Sequence, residues 1–234
     1  MDQDQIDEQA LIAALSLDDQ EKTLTVFTMY NQSALAKKML QILMPSSKVM
    51  YLAEALSTFL YLSRDRELVL RHMSAMDFIN FFLKHGKLTG KERPSKKDSD
   101  GNDESRTELL ACKCLSNVLF ITKDSKNTCS DDEFLKSIVN KISQHQNHDH
   151  DVIFITLRLI FLATALNSKC RTKLVENYGG RTVLMEFLRC RINMATESNS
   201  NRKGKMFTKH QAELVNEALK VLFNVNVDLR KSTI

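Results

Sequence analysis

The sequence contains no tryptophan, only two prolines and only six glycines among its 234 residues. Proline and glycine weaken or end helices, so their scarcity favours long helical segments. The glycines fall between apolar segments and never inside one. The absence of tryptophan excludes a stacking surface built on that side chain. Because leucine, lysine, alanine, methionine and glutamate are abundant, these features together predict an all-α protein.

The chain also has little excess charge and few cysteines. Its formal net charge of +4 differs from the strongly basic composition of a typical nucleic-acid-binding protein. The five cysteines are odd in number and irregularly spaced, so we interpret them as reduced thiols of a cytosolic protein. The N-terminal MDQDQIDEQ is acidic and lacks the basic region of a signal peptide. The expected location is therefore the cytoplasm.

No apolar run is long enough to cross a bilayer. The longest, VIFITLRLIFLATAL at residues 152–166, contains Arg158. A transmembrane helix needs roughly 20 apolar residues. We therefore predict a buried core helix here and no integral membrane segment.

Four segments of the chain resemble one another, each with a long apolar helix followed by a polar break. They are AEALSTFLYLSRDRELVLRHM, ACKCLSNVLFITKDSKN, FITLRLIFLATALNSKCRTKLVENYGG and VNEALKVLFNVNVDLRKS. Leu115 and Leu157 occupy similar places in two of these helices, and their separation falls in the range of armadillo and HEAT repeats, about 40–47 residues. The larger separations contain polar insertions, at about residues 87–106 and 193–205, which we predict to be mobile loops.

These repeats predict an armadillo/HEAT-like helical solenoid, in which stacked repeats bury the apolar faces that one repeat cannot bury alone. We expect a single domain over residues 1–234, with residues 1–45 as an N-terminal helical cap and the last helix of each repeat lining a groove. The final segment LKVLFNVNVDL would leave an apolar face open to water. We therefore expect either that the natural solenoid continues or that this chain is truncated.

Hydroxyl residues three positions before Glu or Gln mark helix starts. The segments beginning at Ser105, Ser130 and Thr208 have this capping-box pattern, and Ser74 begins a weaker version. Gly86 and the pair Gly179–Gly180 are predicted helix ends.

Five motifs resemble the synembryn family, also called resistance-to-inhibitors-of-cholinesterase proteins. They are YLSRDREL, CLSNVLF, LRLIFLATAL, RTKLVENYGG and EALKVLFNVNVD, in the family's order, and the resemblance covers roughly residues 51–228. It implies an armadillo/HEAT-like solenoid that acts as a guanine nucleotide exchange factor and folding chaperone for heterotrimeric G-protein α subunits. It also implies a groove for the C-terminal helix of the α subunit, and recruitment to the cell cortex or plasma-membrane periphery through that partner. Typical members are longer.

Three polar residues are candidates for this groove. Asn117 and Asn224 lie in apolar helices, where an amide facing a groove can donate to and accept from a partner's backbone. The alternative is an asparagine that bonds a neighbouring carbonyl within the core. Arg64 follows an apolar helix and could hold the carboxylate at the end of an α subunit. Its alternative is an exposed arginine paired with Asp65 or Glu67.

Arg158, Phe161 and Phe223 complete the candidate groove. An unpaired buried guanidinium is costly, so Arg158 must either pair with a neighbouring carboxylate or open onto the groove. Phe161 and Phe223 are candidate pockets for a partner helix, although a core role is the safer interpretation for either alone.

Other site types are not indicated. Cys112, Cys114 and Cys129 with the cluster His145, His148 and His150 lack the spacing of zinc ligand pairs, so we predict no metal site and no cofactor. No motif for covalent catalysis is present, so we predict a regulatory factor and no enzyme. The basic and acidic halves of KLTGKERPSKKDSDGNDE neutralise each other, and we predict no nucleic-acid partner. The alternative function is a generic armadillo-type adaptor that binds an unrelated helical or extended peptide.

Overall fold

The computed structural model describes residues 52–73, 76–90, 101–123, 125–197 and 207–231. Within these ranges the chain forms helices and turns and contains no strand, which confirms the predicted all-α class. The predicted N-terminal cap at residues 1–45 lies outside the described residues. No helix in the described ranges combines the length and apolarity needed to span a membrane.

The chain groups into two compact units. Among the described residues, the first unit comprises residues 52–73, 76–86 and 101–122, and the second comprises residues 87–90, 123, 125–197 and 207–231. The single domain over residues 1–234 stays a prediction.

The first unit contains four described helices. They are α1 (Leu52–Leu62), the short α2 (Arg66–Leu68), which continues into a π-helical turn (Val69–Met73), α3 (Met76–His85) and α4 (Gly101–Ile121). Helices α1 and α3 both pack against α4. Phe59 of α1 is fully buried, and its ring meets the rings of Phe78, Phe81 and Phe82 of α3 edge to face at 5.4–6.0 Å. Such pairs stabilise the core beyond the area that they bury.

The second unit contains six described helices and a 3₁₀ turn. They are α5 (Ser125–Thr128), α6 (Asp132–Ser143), the 3₁₀ turn (His145–Asn147), α7 (His150–Thr164), α8 (Ser168–Glu176), α9 (Gly180–Glu197) and α10 (Lys209–Lys231). Helices α5, α6 and α7 form one repeat of a short, a middle and a long helix, and α8, α9 and α10 form the next. The long helices α7 and α10 pack against each other, and the middle helices α6 and α9 do the same.

Packing of like helix on like helix is the arrangement of armadillo and HEAT repeats. Helices α2, α3 and α4 have the same order of short, middle and long helix in the first unit. The armadillo/HEAT-like fold class is therefore confirmed. Each repeat begins at the short helix, and the long helix that the sequence motifs identify comes last.

Parts of both predicted insertions are helical. Helix α4 begins at Gly101, so residues 101–106 of the first insertion are helical, and Ser105 lies inside the helix, where we had predicted its start. Residues 193–197 of the second insertion belong to α9. Residues 87–90 of the first insertion are described and include the buried Leu88, whereas residues 91–100 and 198–205 lie outside the described residues. The sequence did not indicate the start of α4 or the end of α9, because an exposed helical turn can be polar and needs no apolar residue.

The predicted caps have different outcomes. Thr208 and Gln211 form the reciprocal capping box, with hydrogen bonds of 3.0 and 3.2 Å between each side chain and the other backbone N–H. At α6 the capping residue is Asp131, whose carboxylate accepts from the backbone N–H of Asp132, and Ser130 instead donates to the carbonyl of Lys126. Gly86 follows α3, and Gly179 has the positive φ of 60° that ends the turn after α8. Ser74 lies outside the described residues.

Candidate functional site

Beyond its first turn, which contains the half-buried His150 and the exposed Asp151, helix α7 is buried except for one narrow stripe of half-buried side chains. Phe154, Arg158 and Phe161 form this stripe, at the i, i+4 and i+7 spacing of one helix face. The sequence predicted a buried helix here because nearly all residues of the segment 152–166 other than Arg158 are apolar. The stripe shows that one side of this helix remains accessible.

Arg158 lies in the middle of that stripe. It is half-buried, and no described carboxylate forms a salt bridge with it. The structural salt bridge, one of the two alternatives for Arg158, is therefore absent from the described residues. Solvent access makes a buried partner unnecessary, because the guanidinium keeps part of its hydration.

The ring of Phe161 contacts Lys220 of α10, and Lys220 pairs with Glu217. The Lys220 ammonium lies 5.8 Å from the centroid of the Phe161 ring, and it is held there by a 2.6 Å salt bridge to the buried carboxylate of Glu217. A cation over an aromatic face is attracted by the ring's quadrupole. The ring is therefore half-buried, with a positive charge over its face.

Asn224 uses its amide within the chain. Its Nδ2 donates to the carbonyl oxygen of Phe161 and to the hydroxyl of Thr164, each at 3.1 Å. The Thr164 hydroxyl donates in turn to the carbonyl of Ile160 at 2.7 Å, so its lone pairs are free to accept from Asn224. These bonds join the end of α7 to the middle of α10.

Phe223 is exposed. Its side chain retains 64% of its accessible surface, and Leu219, one turn earlier on α10, retains 51%. Phe223 lies three residues after Lys220 on the same side of the helix. Together Arg158, Phe161, Leu219, Lys220, Phe223 and Asn224 form a surface of apolar and cationic side chains, which we call the α7/α10 surface.

The first unit repeats the asparagine arrangement. Asn117 of α4 donates from Nδ2 to the Ser63 hydroxyl at 2.9 Å, and that hydroxyl donates to the Leu60 carbonyl at 2.9 Å. Ser63 directly follows the last residue of α1, and Thr164 is the last residue of α7. In each unit, an asparagine of one long helix thus binds a hydroxyl at the end of the preceding long helix. Asn224 thus bonds a carbonyl, as in the alternative interpretation, whereas Asn117 bonds a hydroxyl, and the groove role of the two amides stays a prediction.

Arg64 and Phe120 flank Asn117 in the first unit. Arg64 is exposed in the turn after α1 and forms no salt bridge with a described carboxylate, since Glu67 pairs with Arg71 at 3.3 Å. Phe120 lies one turn after Asn117 and is 71% exposed. Sequence reasoning missed Phe120, although its i+3 spacing from Asn117 was the available signal. Arg64, Asn117 and Phe120 form what we call the α1/α4 surface.

Three of the cysteine thiols are poor nucleophiles because they are buried. The five cysteines form no disulfide, and only Cys190 is not fully buried. Burial raises the pKa of Cys170 to about 11 and raises the pKa of Cys114 and Cys129 as well. These three thiols are therefore protonated at neutral pH and poorly nucleophilic.

His145, His148 and His150 are close in the sequence, but each has a different environment in the structure. His145 is buried, donates from Nδ1–H to the Ile142 carbonyl at 3.1 Å, and packs edge to face on Phe187 at 5.0 Å. His148 is half-buried. His150 is the first residue of α7 and contacts α10.

Comparison with known proteins identifies the family. The sequence model described as "Guanine nucleotide exchange factor synembryn" matches residues 55–234, which include every helix of the second unit and most of the described helices of the first. The chain belongs to the synembryn family.

Relatives in this family are longer than the chain. It is 24% identical over 200 residues to "Chaperone Ric-8A" of Mus musculus, which covers 85% of this chain and 36% of the relative. It is 29% identical over 140 residues to "Chaperone Ric-8" of Drosophila pseudoobscura pseudoobscura, covering 60% of this chain and 22% of the relative. With "Chaperone Ric-8A" of Danio rerio it shares 30% over 129 residues, 50% of this chain and 24% of the relative. The chain thus spans about a third or less of these synembryn-family proteins.

Proposed function

We propose that this chain binds the α subunit of a heterotrimeric G protein and acts on it as an exchange factor and folding chaperone without covalent chemistry. The observation that carries the proposal is the synembryn match over residues 55–234, since the family is described by guanine nucleotide exchange and its relatives by chaperone activity. The proposed location is the cytoplasm, with recruitment to the cell cortex through the partner.

The α7/α10 surface has the chemistry for an amphipathic helix. Phe223 and Leu219 offer exposed apolar area, and binding a partner helix would remove that area from water. Lys220 and Arg158 place positive charge beside it. A C-terminal helix carries a free carboxylate and a helix dipole that is negative at that end, so it complements both features.

The α1/α4 surface is a second proposed contact. Arg64 is exposed and can present its guanidinium to a carboxylate with two parallel hydrogen bonds. Phe120 supplies an exposed ring on the same unit. Asn117 keeps its Nδ2 bonded to Ser63, so the amide oxygen is the atom that would accept from a partner's backbone.

A peptide-binding measurement tests the partner. A labelled peptide with the C-terminal helix sequence of an α subunit is titrated with the chain, and fluorescence anisotropy reports Kd. We expect Phe223→Ala to raise Kd by about tenfold or more, because burial of a phenylalanine side chain contributes about 1.5–3 kcal/mol. Met185→Ala is the matched control, because Met185 is 50% exposed in the same unit but lies on the middle helix α9.

The carboxylate contact is tested in the same assay. Amidation of the peptide's C-terminus removes its charge, and we expect weaker binding. The arginine that holds the carboxylate is the one whose alanine variant, Arg158→Ala or Arg64→Ala, no longer distinguishes the acid from the amide peptide. If the unmodified chain binds no α-subunit peptide but recovers a different helical partner, the adaptor function replaces the proposed one.

A further inference from the structure

Three side chains that can ligate metal meet where α7 and α10 begin. His150 is the first residue of α7, and His210 and Glu213 lie in the first turns of α10. Their ligand atoms all lie within 4.8 Å of one another. His210 and Glu213 share a helix face at i, i+3, and the rings of His150 and His210 meet edge to face at 4.6 Å. The cluster joins residues sixty positions apart, so sequence spacing did not predict it.

Both ring nitrogens of His150 lie near oxygen atoms. Its Nδ1 lies 3.2 Å from Oδ1 of Asp151. Its Nε2 lies 3.0 Å from the carbonyl oxygen of His210 and 3.9 Å from Oε2 of Glu213. A neutral imidazole has one N–H and donates to only one of these sides. If Nδ1–H donates to Asp151, the lone pair of Nε2 faces two electron-rich oxygens.

We propose that His150, His210 and Glu213 bind a divalent transition-metal ion of the Zn²⁺ class. Two imidazole nitrogens and one carboxylate oxygen are a donor set that suits zinc and its neighbours, whereas Mg²⁺ and Ca²⁺ favour oxygen ligands alone. A metal ion on Nε2 converts the opposed lone pair into a ligand. Asp151 then holds Nδ1–H from behind, in the carboxylate–histidine–metal arrangement that orients ligands in metalloproteins.

The charges around the three ligands affect the affinity of the site for a cation. The positive ends of the α7 and α10 dipoles oppose a bound cation, as does Lys209 at the start of α10. The carboxylates of Glu213 and Asp151 supply the opposing negative charge. The side chains of His150 and Glu213 are 26% and 39% exposed, so an ion reaches them from solvent.

The ion would tie together the beginnings of the two long helices of the second unit. These are the helices that carry the α7/α10 surface, but the metal site does not depend on the proposed G-protein partner. Because the ligands come together only in the folded chain, metal binding stabilises the fold by mass action.

Metal titration of the purified 234-residue chain tests the proposal. The background is Cys190→Ser, which removes the one thiol that is not fully buried. We expect one equivalent of Zn²⁺ by calorimetry, and Co²⁺ absorption bands of nitrogen and oxygen ligands without a thiolate charge-transfer band. His210→Ala and Glu213→Gln should each weaken binding by at least tenfold. Asp151→Asn should weaken it by about tenfold or more, because supporting residues contribute about 10- to 100-fold.

His148→Ala is the matched control, since His148 is a half-buried histidine two residues from His150 and outside the cluster. We expect this variant to keep the affinity of its background. Absence of saturable binding at micromolar metal would overturn the proposal. So would equal affinity in His210→Ala and Glu213→Gln, or an equal loss in His148→Ala. All the substituted side chains are at least partly exposed, and circular dichroism checks that each variant is folded.

Discussion

At the scale of single residues, an asparagine on an apolar helix needs hydrogen-bond partners, because an unpaired amide in the core costs about 1–3 kcal/mol. Asn117 and Asn224 find theirs in the same way, on a hydroxyl at the end of the preceding long helix. The hydroxyl donates along its own helix and accepts from the asparagine. The sequence indicated that these amides were unusual, but the partners lie more than fifty positions away, and no local pattern identifies them.

We expect Asn224→Ala to lower the free energy of unfolding by about 1–2 kcal/mol, because it removes two hydrogen bonds and leaves the Phe161 carbonyl without this donor. Urea unfolding measures the change. Asn216→Ala is the matched control, because Asn216 is exposed on the same helix and its replacement reports only the helix propensity that alanine gains, about half a kcal/mol. If both variants are equally stable, the Asn224 bonds contribute nothing and its amide is available to a partner.

At the scale of helices, apolar periodicity predicted the long helices and the armadillo order. Local chemistry predicted the capping box of Thr208 and Gln211, since both partners lie within one turn. The start of α4 was wrong, because its first turn is polar and the box at Ser105 falls inside the helix. The sequence also did not decide whether Arg158 is exposed. The exposed stripe of an apolar helix depends on the helices that pack against it, and these come from distant parts of the chain.

The end of α3 makes stability depend on pH. His85 packs against the Phe81 ring at 4.5 Å, and burial, assisted by the charge of neighbouring Lys84, lowers its pKa to about 4. A histidinium at a helix C-terminus is usually favoured by the dipole, so burial is the larger effect here. The unfolded chain takes up the proton near pH 6.5, whereas the folded chain does so near pH 4. Stability is therefore greatest above about pH 6.5 and falls as the pH drops toward about 4.

We expect urea midpoints to fall between about pH 7 and about pH 5, and to fall less in His85→Gln. Burial also lowers the pKa of His145, so part of the pH dependence remains in this variant. His148→Gln is the control and should follow the unmodified chain. A His85→Gln variant with the full pH dependence would show that His85 is not its source.

At the scale of the whole chain, family membership rests on both units, because the synembryn match runs from residue 55 to residue 234. The chain nevertheless spans only 36% of its mouse relative. Each unit carries its own surface, with an arginine, an exposed phenylalanine and an asparagine on or beside the long helices. Binding through such surfaces accelerates nucleotide release only if the nucleotide-free α subunit binds more tightly than the GDP-bound one.

Nucleotide release from a purified α subunit measures that difference. We expect GDP release to accelerate with rising concentration of the chain and to saturate, because acceleration requires the complex. Phe223→Ala should shift the midpoint of this curve by the same factor by which it weakens peptide binding, and Met185→Ala should leave it unchanged. A chain that saturates the peptide but leaves the release rate constant binds both states equally. In that case the α7/α10 surface is a docking site, and the differential contacts that drive exchange lie outside these two units.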